Sequence, residues 1–180
     1  HPRLRGKRLL ILTLAPEAEC HWQRGISYLY SDLRDTPLRD ERFDAVVCLS
    51  TLEHVGHDNR LYTGVAAEGP PDRTGLASAV AELRRVLKPG GWLLISVPFG
   101  AAREYTGFRQ FDRDGLDEIR DAFGAAREAR EQFYRHSLRG WQRASADECG
   151  DCEYVEWVTR GDGQLPRPLP VEADRAAAAR

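Results

Sequence analysis

The sequence predicts an α/β fold with a doubly wound, mostly parallel sheet. Three observations predict it. Short apolar runs recur at Arg8–Leu14, Ile26–Tyr30, Phe43–Leu49 and Trp92–Val97. The run at Phe43–Leu49 is continuous rather than alternating, the pattern of a strand covered by helices on both faces. A stretch with helical period separates the last two runs, the strand–helix–strand order of a parallel unit. At 180 residues the chain suits one domain with a real core.

Each element has its own local reason. Arg8–Leu14 (RLLILTL) closes at Ala15-Pro16-Glu17, an exit turn. Ile26–Tyr30 (ISYLY) is β-branched and aromatic and ends at Ser31-Asp32-Leu33, and Pro37–Arg42 is a polar connection. Residues 56–74, rich in Gly, Pro and Asp, form a loop or lid of a length that is usually functional or disordered. From Gly75 to Leu87, Leu76, Val80, Leu83 and Leu87 make one helical stripe, with Glu82, Arg84, Arg85 and Lys88 largely off it. Pro89 stops that helix and Gly90 suits the left-handed exit, after which Trp92–Val97 is a strand closed by Pro98-Phe99-Gly100. Asp112 is the expected cap of a helix through Phe123, with Gly115 a weak point in it. Phe133-Tyr134 is β-like, Ala146–Thr159 is expected to be helical, and residues 160–180, with three prolines, form an extended tail.

Composition excludes several classes. Apolar content of 42% with 30% charged residues describes an ordinary globular protein. A net charge of −2 speaks against a broad nucleic-acid footprint, and the basic HPRLRGKR end is expected to be a solvated tail. No apolar run approaches the roughly 20 residues needed to cross a bilayer, and no signal-peptide pattern opens the chain. The expectation is a cytoplasmic protein with no membrane or nucleic-acid partner. Cys149 and Cys152 form a CxxC without a second pair or a His pair, so they are expected to be incidental thiols. The sequence has no methionine, starts at His1 and ends in EADRAAAAR, so a fragment cut at both ends is expected.

Taken together, Asp32 with its polar stretch, FDAVVCLSTLEHV and ELRRVLKPGGWLLISVP resemble the later motifs of class I S-adenosylmethionine-dependent methyltransferases. The likeness is to the small-molecule branch called type 11 and runs from Arg8 to Phe123. It implies a Rossmann-like sheet in which Arg8–Leu14 is the second strand, Phe43–Leu49 the fourth and Trp92–Val97 the fifth. No GxG precedes Phe43, so the first strand with its glycine-rich turn is expected to be missing, and the last strand is in question. Where the family places a ribose-binding acid, Thr13 or Leu14 stands, with Glu17 the nearest carboxylate. LKPGG follows a helix and precedes a strand, the reverse of a phosphate cradle, and is expected to be a structural turn.

The resemblance also implies the site. The Asp32 carboxylate and Leu33 amide would read the adenine edge of S-adenosylmethionine, Ser50 and Thr51 would line the cofactor, with Ser50 near its methionine portion, and His54 would be the candidate general base. The bland alternatives are a turn-forming Asp32 and a helix-start His54 bonded to backbone. Glu53, His54 and His57 form an incomplete ligand set, since Ser50 stands where a further acid would be, and no metal is expected. Arg103, Tyr105 and Arg109, with Phe108 and Phe111, suit an anionic or aromatic acceptor; alternatively Arg109 pairs with Asp112 or Asp114. Tyr134, His136 and Trp141 are further candidates for the same pocket. The expected function is methyl transfer from S-adenosylmethionine to an oxygen or nitrogen of a small-molecule acceptor. The alternative is a non-catalytic methyltransferase-like binding domain. A nicotinamide dehydrogenase is a third, weaker reading, because it too needs the glycine fingerprint.

Overall fold

The computed structural model describes residues 6–17, 20–65, 71–105, 107–137, 139–154 and 177–179. Strands β1 (Leu9–Thr13) and β2 (Ile26–Tyr30) pair in parallel, Leu9 opposite Ile26. Strands β3 (Phe43–Leu49) and β4 (Leu87–Pro98) form a second parallel ladder. Between them lie the single turn α1 (Arg60–Thr63) and the helix α2 (Gly75–Val86). A short hairpin, β5 (Arg103–Glu104) and β6 (Arg109–Gln110), leads into α3 (Arg113–Phe123). The hairpin β7 (Phe133–Ser137) and β8 (Gly140–Ala144), the turn α4 (Ala146–Cys149) and β9 (Ala177–Ala179) follow. The larger sheet has the order β3-β4-β9-β7-β8, antiparallel beyond β4, whereas β1 and β2 form a sheet of their own. The parallel α/β fold class thus holds in the part of the chain that bears its motifs. No helix among the described residues is long and apolar enough to cross a membrane.

The core forms where α2 lays its stripe on the sheet. Leu76, Val80 and Leu83 are buried together with Ala79, and they pack with Ile119 of α3 against Cys48 and Val97. Side chains alternate across a strand, so Val46, Cys48, Leu93 and Ile95 share this face, and Val47, Leu49, Trp92 and Leu94 share the other. On that other face Val47 is 52% exposed, Leu49 56% and Trp92 57%. The apolar pattern on both faces of β3 therefore meets helices on one face only among the described residues, a departure from the two-sided covering expected of it. No residue of β1 or β2 is buried.

Three further expectations are corrected. LKPGG is a bulge inside β4 and not a turn ahead of it: Leu87 already pairs with Phe43, and the ladder resumes at Trp92 opposite Ala45. Gly90 takes φ +76°, and a Cβ on Gly91 would lie 2.9 Å from the Lys88 carbonyl oxygen, so the bulge needs both glycines. Gly115 is a point of close approach, since a Cβ there would come within 2.9 Å of the Phe111 ring. The expected Ala146–Thr159 helix is one turn long among the described residues. A capping box between Ser145 and Glu148 starts it, and residues 150–154 leave it when the Cys152 carbonyl is drawn to Ala101 N and Gln110 Nε2. Residues 155–159, and the expected tail at 160–180 apart from β9, lie outside the described residues.

The chain is steered into β3 by a charged clamp. Arg85 Nε and Nη2 donate to the two Glu82 carboxylate oxygens at 2.6 and 2.7 Å, and Arg85 Nη1 reaches the Leu38 carbonyl at 2.7 Å. Thr36 donates to Glu82 through both its amide, at 3.0 Å, and its hydroxyl, at 2.8 Å. The carbonyls of Arg85 and Val86, left open where α2 ends, accept from the amides of Glu41 and Arg42.

Arg85 is the main cause that holds the Glu82 carboxyl down to about 2, from an ordinary 4.5. A depressed acid stabilises the fold above its unfolded value and loses that stabilisation as pH falls through its folded one. Acid denaturation followed by circular dichroism should therefore show a component between about pH 4.5 and pH 2 that Glu82→Gln removes. An unchanged acid limb in the variant would sink the clamp.

Candidate functional site

The site is built where β2 and β3 end, the edge at which parallel sheets bind ligands. After β2, Ser31 N donates to the Thr13 carbonyl as a last rung of the ladder. The next residue, Asp32, accepts from Arg34 N at 2.8 Å and from Arg34 Nη2 at 2.7 Å. The Arg34 guanidinium beside it is the chief cause that lowers the Asp32 carboxyl. Leu33 packs its side chain on the core, and its amide makes no hydrogen bond among the described residues. Arg34 Nη1 also binds Asp72 Oδ2 at 2.8 Å, and Asp72 N donates to the Gly56 carbonyl at 2.8 Å. Gly56 has φ +82°, and a Cβ there would overlap the Asp72 carbonyl oxygen. The two ends of the 57–71 loop are thus tied together at a neck, and the neck is tied to the exit of β2.

At the end of β3, Ser50 takes φ +47°, a left-handed conformation rare for a residue with a side chain. Its amide donates to the Ser96 carbonyl at 3.0 Å, and its hydroxyl donates to Glu53 Oε1 at 2.6 Å. Thr51 Oγ1 donates back to the Leu49 carbonyl at 2.9 Å. The following 3-10 turn, Leu52–His54, is pinned by burial of Leu52 and Glu53. Glu53 is 2% exposed, and its Oε2 has no hydrogen-bond partner among the described residues. Burial pushes this carboxyl up, against the lowering effect of the Ser50 hydroxyl.

The turn presents His54 with its Nδ1 2.8 Å from the Gly107 carbonyl. A carbonyl oxygen can only accept, so this bond puts the proton on Nδ1 and leaves the lone pair of the neutral ring on Nε2. Rings surround the imidazole: Tyr62 of α1 is edge-on at 5.5 Å and Phe108 is tilted at 5.8 Å. Phe108 is in turn stacked on Tyr105 at 4.3 Å and met edge-on by Tyr154 at 5.3 Å.

The remaining candidates divide. His57 Nε2 pairs with Glu104 at 2.7 Å, so Glu53, His54 and His57 face three different partners and do not converge. Among the described residues no three His, Cys, Asp or Glu side chains are placed to hold a metal ion. Arg103 pairs with Glu153 at 2.8 Å. Arg109 pairs with Glu118 at 3.5 Å and lies over the Phe111 ring, so its partner is neither Asp112 nor Asp114. Asp112 instead caps α3, accepting from Gly115 N. His136 and Trp141 pair with each other across the β7–β8 hairpin, and Tyr134 donates to Gln132. Glu17 is exposed.

Cys149 and Cys152 are fully buried against Phe99 and Phe133. Burial pushes the Cys152 thiol up to about 11, which makes it a structural thiol and not a nucleophile. Sequence reasoning missed Tyr62, on the single turn α1, and Asn59 and Gly107, in loops; none of them lies in a periodic stretch. Asn59 braces the turn by donating to the carbonyls of His54 and His57.

The β5–β6 hairpin that carries Gly107 depends on Gly100, where a Cβ would overlap the Cys152 carbonyl oxygen and Gln110 Nε2. Gly100→Ala should lower stability by about 1–3 kcal/mol, the usual cost of overpacking, as read by urea denaturation. A shift below about 0.5 kcal/mol would show that the hairpin tolerates displacement.

The profile of the methyltransferase domain family matches residues 11–95. No curated protein matches the chain. Among solved structures, 1,6-didemethyltoxoflavin-N1-methyltransferase of Burkholderia thailandensis, bound to 1,6-didemethyltoxoflavin and S-adenosylhomocysteine, aligns over 97% of this chain and 60% of its own. Identity there is 15% and the TM-score 0.52, a likeness of fold. The [4+2]-cyclase SpnF aligns over 65% of this chain and 42% of its own, at 23% identity and a TM-score of 0.46. A methyltransferase of Thermotoga maritima aligns over 88% of this chain and 64% of its own, at 17% identity and a TM-score of 0.41. The chain spans about half the length of such structures.

Proposed function

We propose, from the match of residues 11–95 to the methyltransferase domain family, that the protein transfers a methyl group from S-adenosylmethionine to an oxygen or nitrogen of a small-molecule acceptor, with His54 as general base. The observation that carries this reading is the Nδ1–Gly107 bond. It orients the ring and fixes the tautomer, so that Nε2 offers its lone pair beside the end of β3, where no other hydrogen bond among the described residues claims it.

The residues fit the cofactor in part. The unbonded Leu33 amide is a donor for an adenine ring nitrogen. Asp32 already accepts from Arg34 N, Nε and Nη2, about as many contacts as a carboxylate offers, so reading the exocyclic amine would require Arg34 to give way. Ser50 and Thr51 sit at the turn expected to line the cofactor, with Ser50 toward the methionine portion. S-adenosylmethionine, when bound, supplies an electrophilic methyl group on a sulfonium. The chain's work is then to align the acceptor, which can supply most of the acceleration, and to take its proton. His54 Nε2 would take the proton that the acceptor's oxygen or nitrogen gives up when it is methylated. Glu53, next in sequence and buried, holds Ser50 in its left-handed turn and is a positioning residue.

One observation favours the second reading, a non-catalytic binding domain: the Asp32 carboxylate is already paired with Arg34. Calorimetry of the full-length protein with S-adenosylhomocysteine separates the two. Saturable heat that weakens in Asp32→Ala is the expected result, and absence of heat in the wild type would favour the second reading.

His54→Ala should lower turnover roughly 10²–10⁴-fold, the range of a lost general base, while S-adenosylhomocysteine affinity changes little. Undiminished turnover would return His54 to a structural role.

A further inference from the structure

The acceptor site has a chemical character of its own, and this inference rests on the reading of His54 given above. The two arginines expected to attract an anion are engaged, Arg103 by Glu153 and Arg109 by Glu118. The ring of His57 is likewise engaged by Glu104, whose side chain is 61% exposed. These three side chains are therefore paired, apart from Arg109 Nε, which has no hydrogen-bond partner among the described residues, and an exposed carboxylate lies among their partners. What surrounds His54 instead is aromatic: Tyr62 edge-on, and Phe108 backed by Tyr105 and Tyr154. Phe108 is 6% exposed and anchors the group, whereas Tyr62 is 58% exposed on a single helical turn and presents ring surface to solvent next to the imidazole.

We propose that this site takes a planar aromatic hydroxy compound, its ring against Tyr62 beside the Tyr105–Phe108 stack and its hydroxyl on His54 Nε2. Two independent arguments meet here. Ring surface prefers ring surface, an aromatic pair being worth about 0.5–1.5 kcal/mol beyond the area it buries. An imidazole near neutrality is matched to a phenolic proton, whose ordinary value is near 10, far better than to an aliphatic alcohol. Tyr62 is then the specificity-determining residue, although its sequence neighbourhood is loop.

The test uses the full-length protein saturated with S-adenosylhomocysteine and titrated with 2-naphthol, read by the naphthol fluorescence. Saturable binding is expected, with cyclohexanol and cyclohexanecarboxylate at least tenfold weaker. Tyr62→Ala should weaken naphthol binding roughly three- to tenfold, and Tyr62→Phe should keep it within about twofold. Because Tyr62 is mostly exposed, an unchanged far-ultraviolet circular dichroism spectrum is expected in both variants, and the phenylalanine variant guards against local unfolding. Absence of saturable naphthol binding, equal binding of the carboxylate or the aliphatic alcohol, or an unaffected Tyr62→Ala would overturn the proposal. Methyl transfer from S-adenosylmethionine is assayed separately. Naphthol bound but not methylated would support the aromatic site and overturn the catalytic reading of His54.

Discussion

The parallel ladder between β3 and β4 is the constraint on which the rest of the molecule depends. Its rungs run from Phe43–Leu87 to Leu49–Ser96, and the Ser50 amide adds one more bond to Ser96. At that point the backbone swings to φ +47° and leaves the sheet, and the next residues bury Leu52 and Glu53. His54 is therefore placed by register. A slip of one residue would move it by about 3.3 Å and exchange the helix-facing set of Val46 and Cys48 for Val47 and Leu49. Because the helix-facing set packs against Leu83 and Val97, the core that fixes the register also fixes the site.

The two ends of β3 carry different kinds of electrostatics. Before the strand, Arg85 pairs with Glu82 and Asp40 and holds the incoming chain through backbone carbonyls. After it, Glu53 lies buried with a serine hydroxyl on one oxygen and, among the described residues, no hydrogen-bond partner on the other. The same residue type is lowered at one end by its partner and raised at the other by burial. Seven strand residues, roughly 20 Å of chain, separate the two. The paired end stabilises, and the unpaired end accepts a cost for the sake of the turn it shapes, which is where functional groups are commonly found.

Much of this was legible in the sequence. The strands at Ile26–Tyr30 and Phe43–Leu49 agree with their apolar runs, and α2 and α3 begin and end within a residue of their expected limits, because stripe and cap are local signals. The placing of Asp32, Ser50 and His54 at strand ends followed from the same logic. What was not legible depends on contacts distant in sequence. Arg109 finds Glu118 and not the nearer acids, since α3 turns Asp112 into a cap. The LKPGG bulge appears only once β4 pairs with β3 from Leu87 onward. The short α4 turn ends because Gln110, more than forty residues away, claims the Cys152 carbonyl. No periodicity marks Tyr62 or Gly107, whose contacts with His54, a ring edge and a hydrogen bond, arise only in the folded chain.

The loop neck gives this arrangement its coherence. Gly56 and Asp72 close the 57–71 loop, and Arg34 bridges that closure to Asp32. The segment bearing Tyr62 is therefore anchored to the exit of β2, while His57 and Glu104 anchor the same segment to the β5–β6 hairpin. These ion pairs are partly exposed and individually weak. Their effect comes from closing one short circuit of chain, in which each pair limits the freedom the others must overcome. A loop held at its neck and by His57 keeps its aromatic residue near the imidazole without being packed into the core, which leaves ring surface exposed where an acceptor would have to arrive.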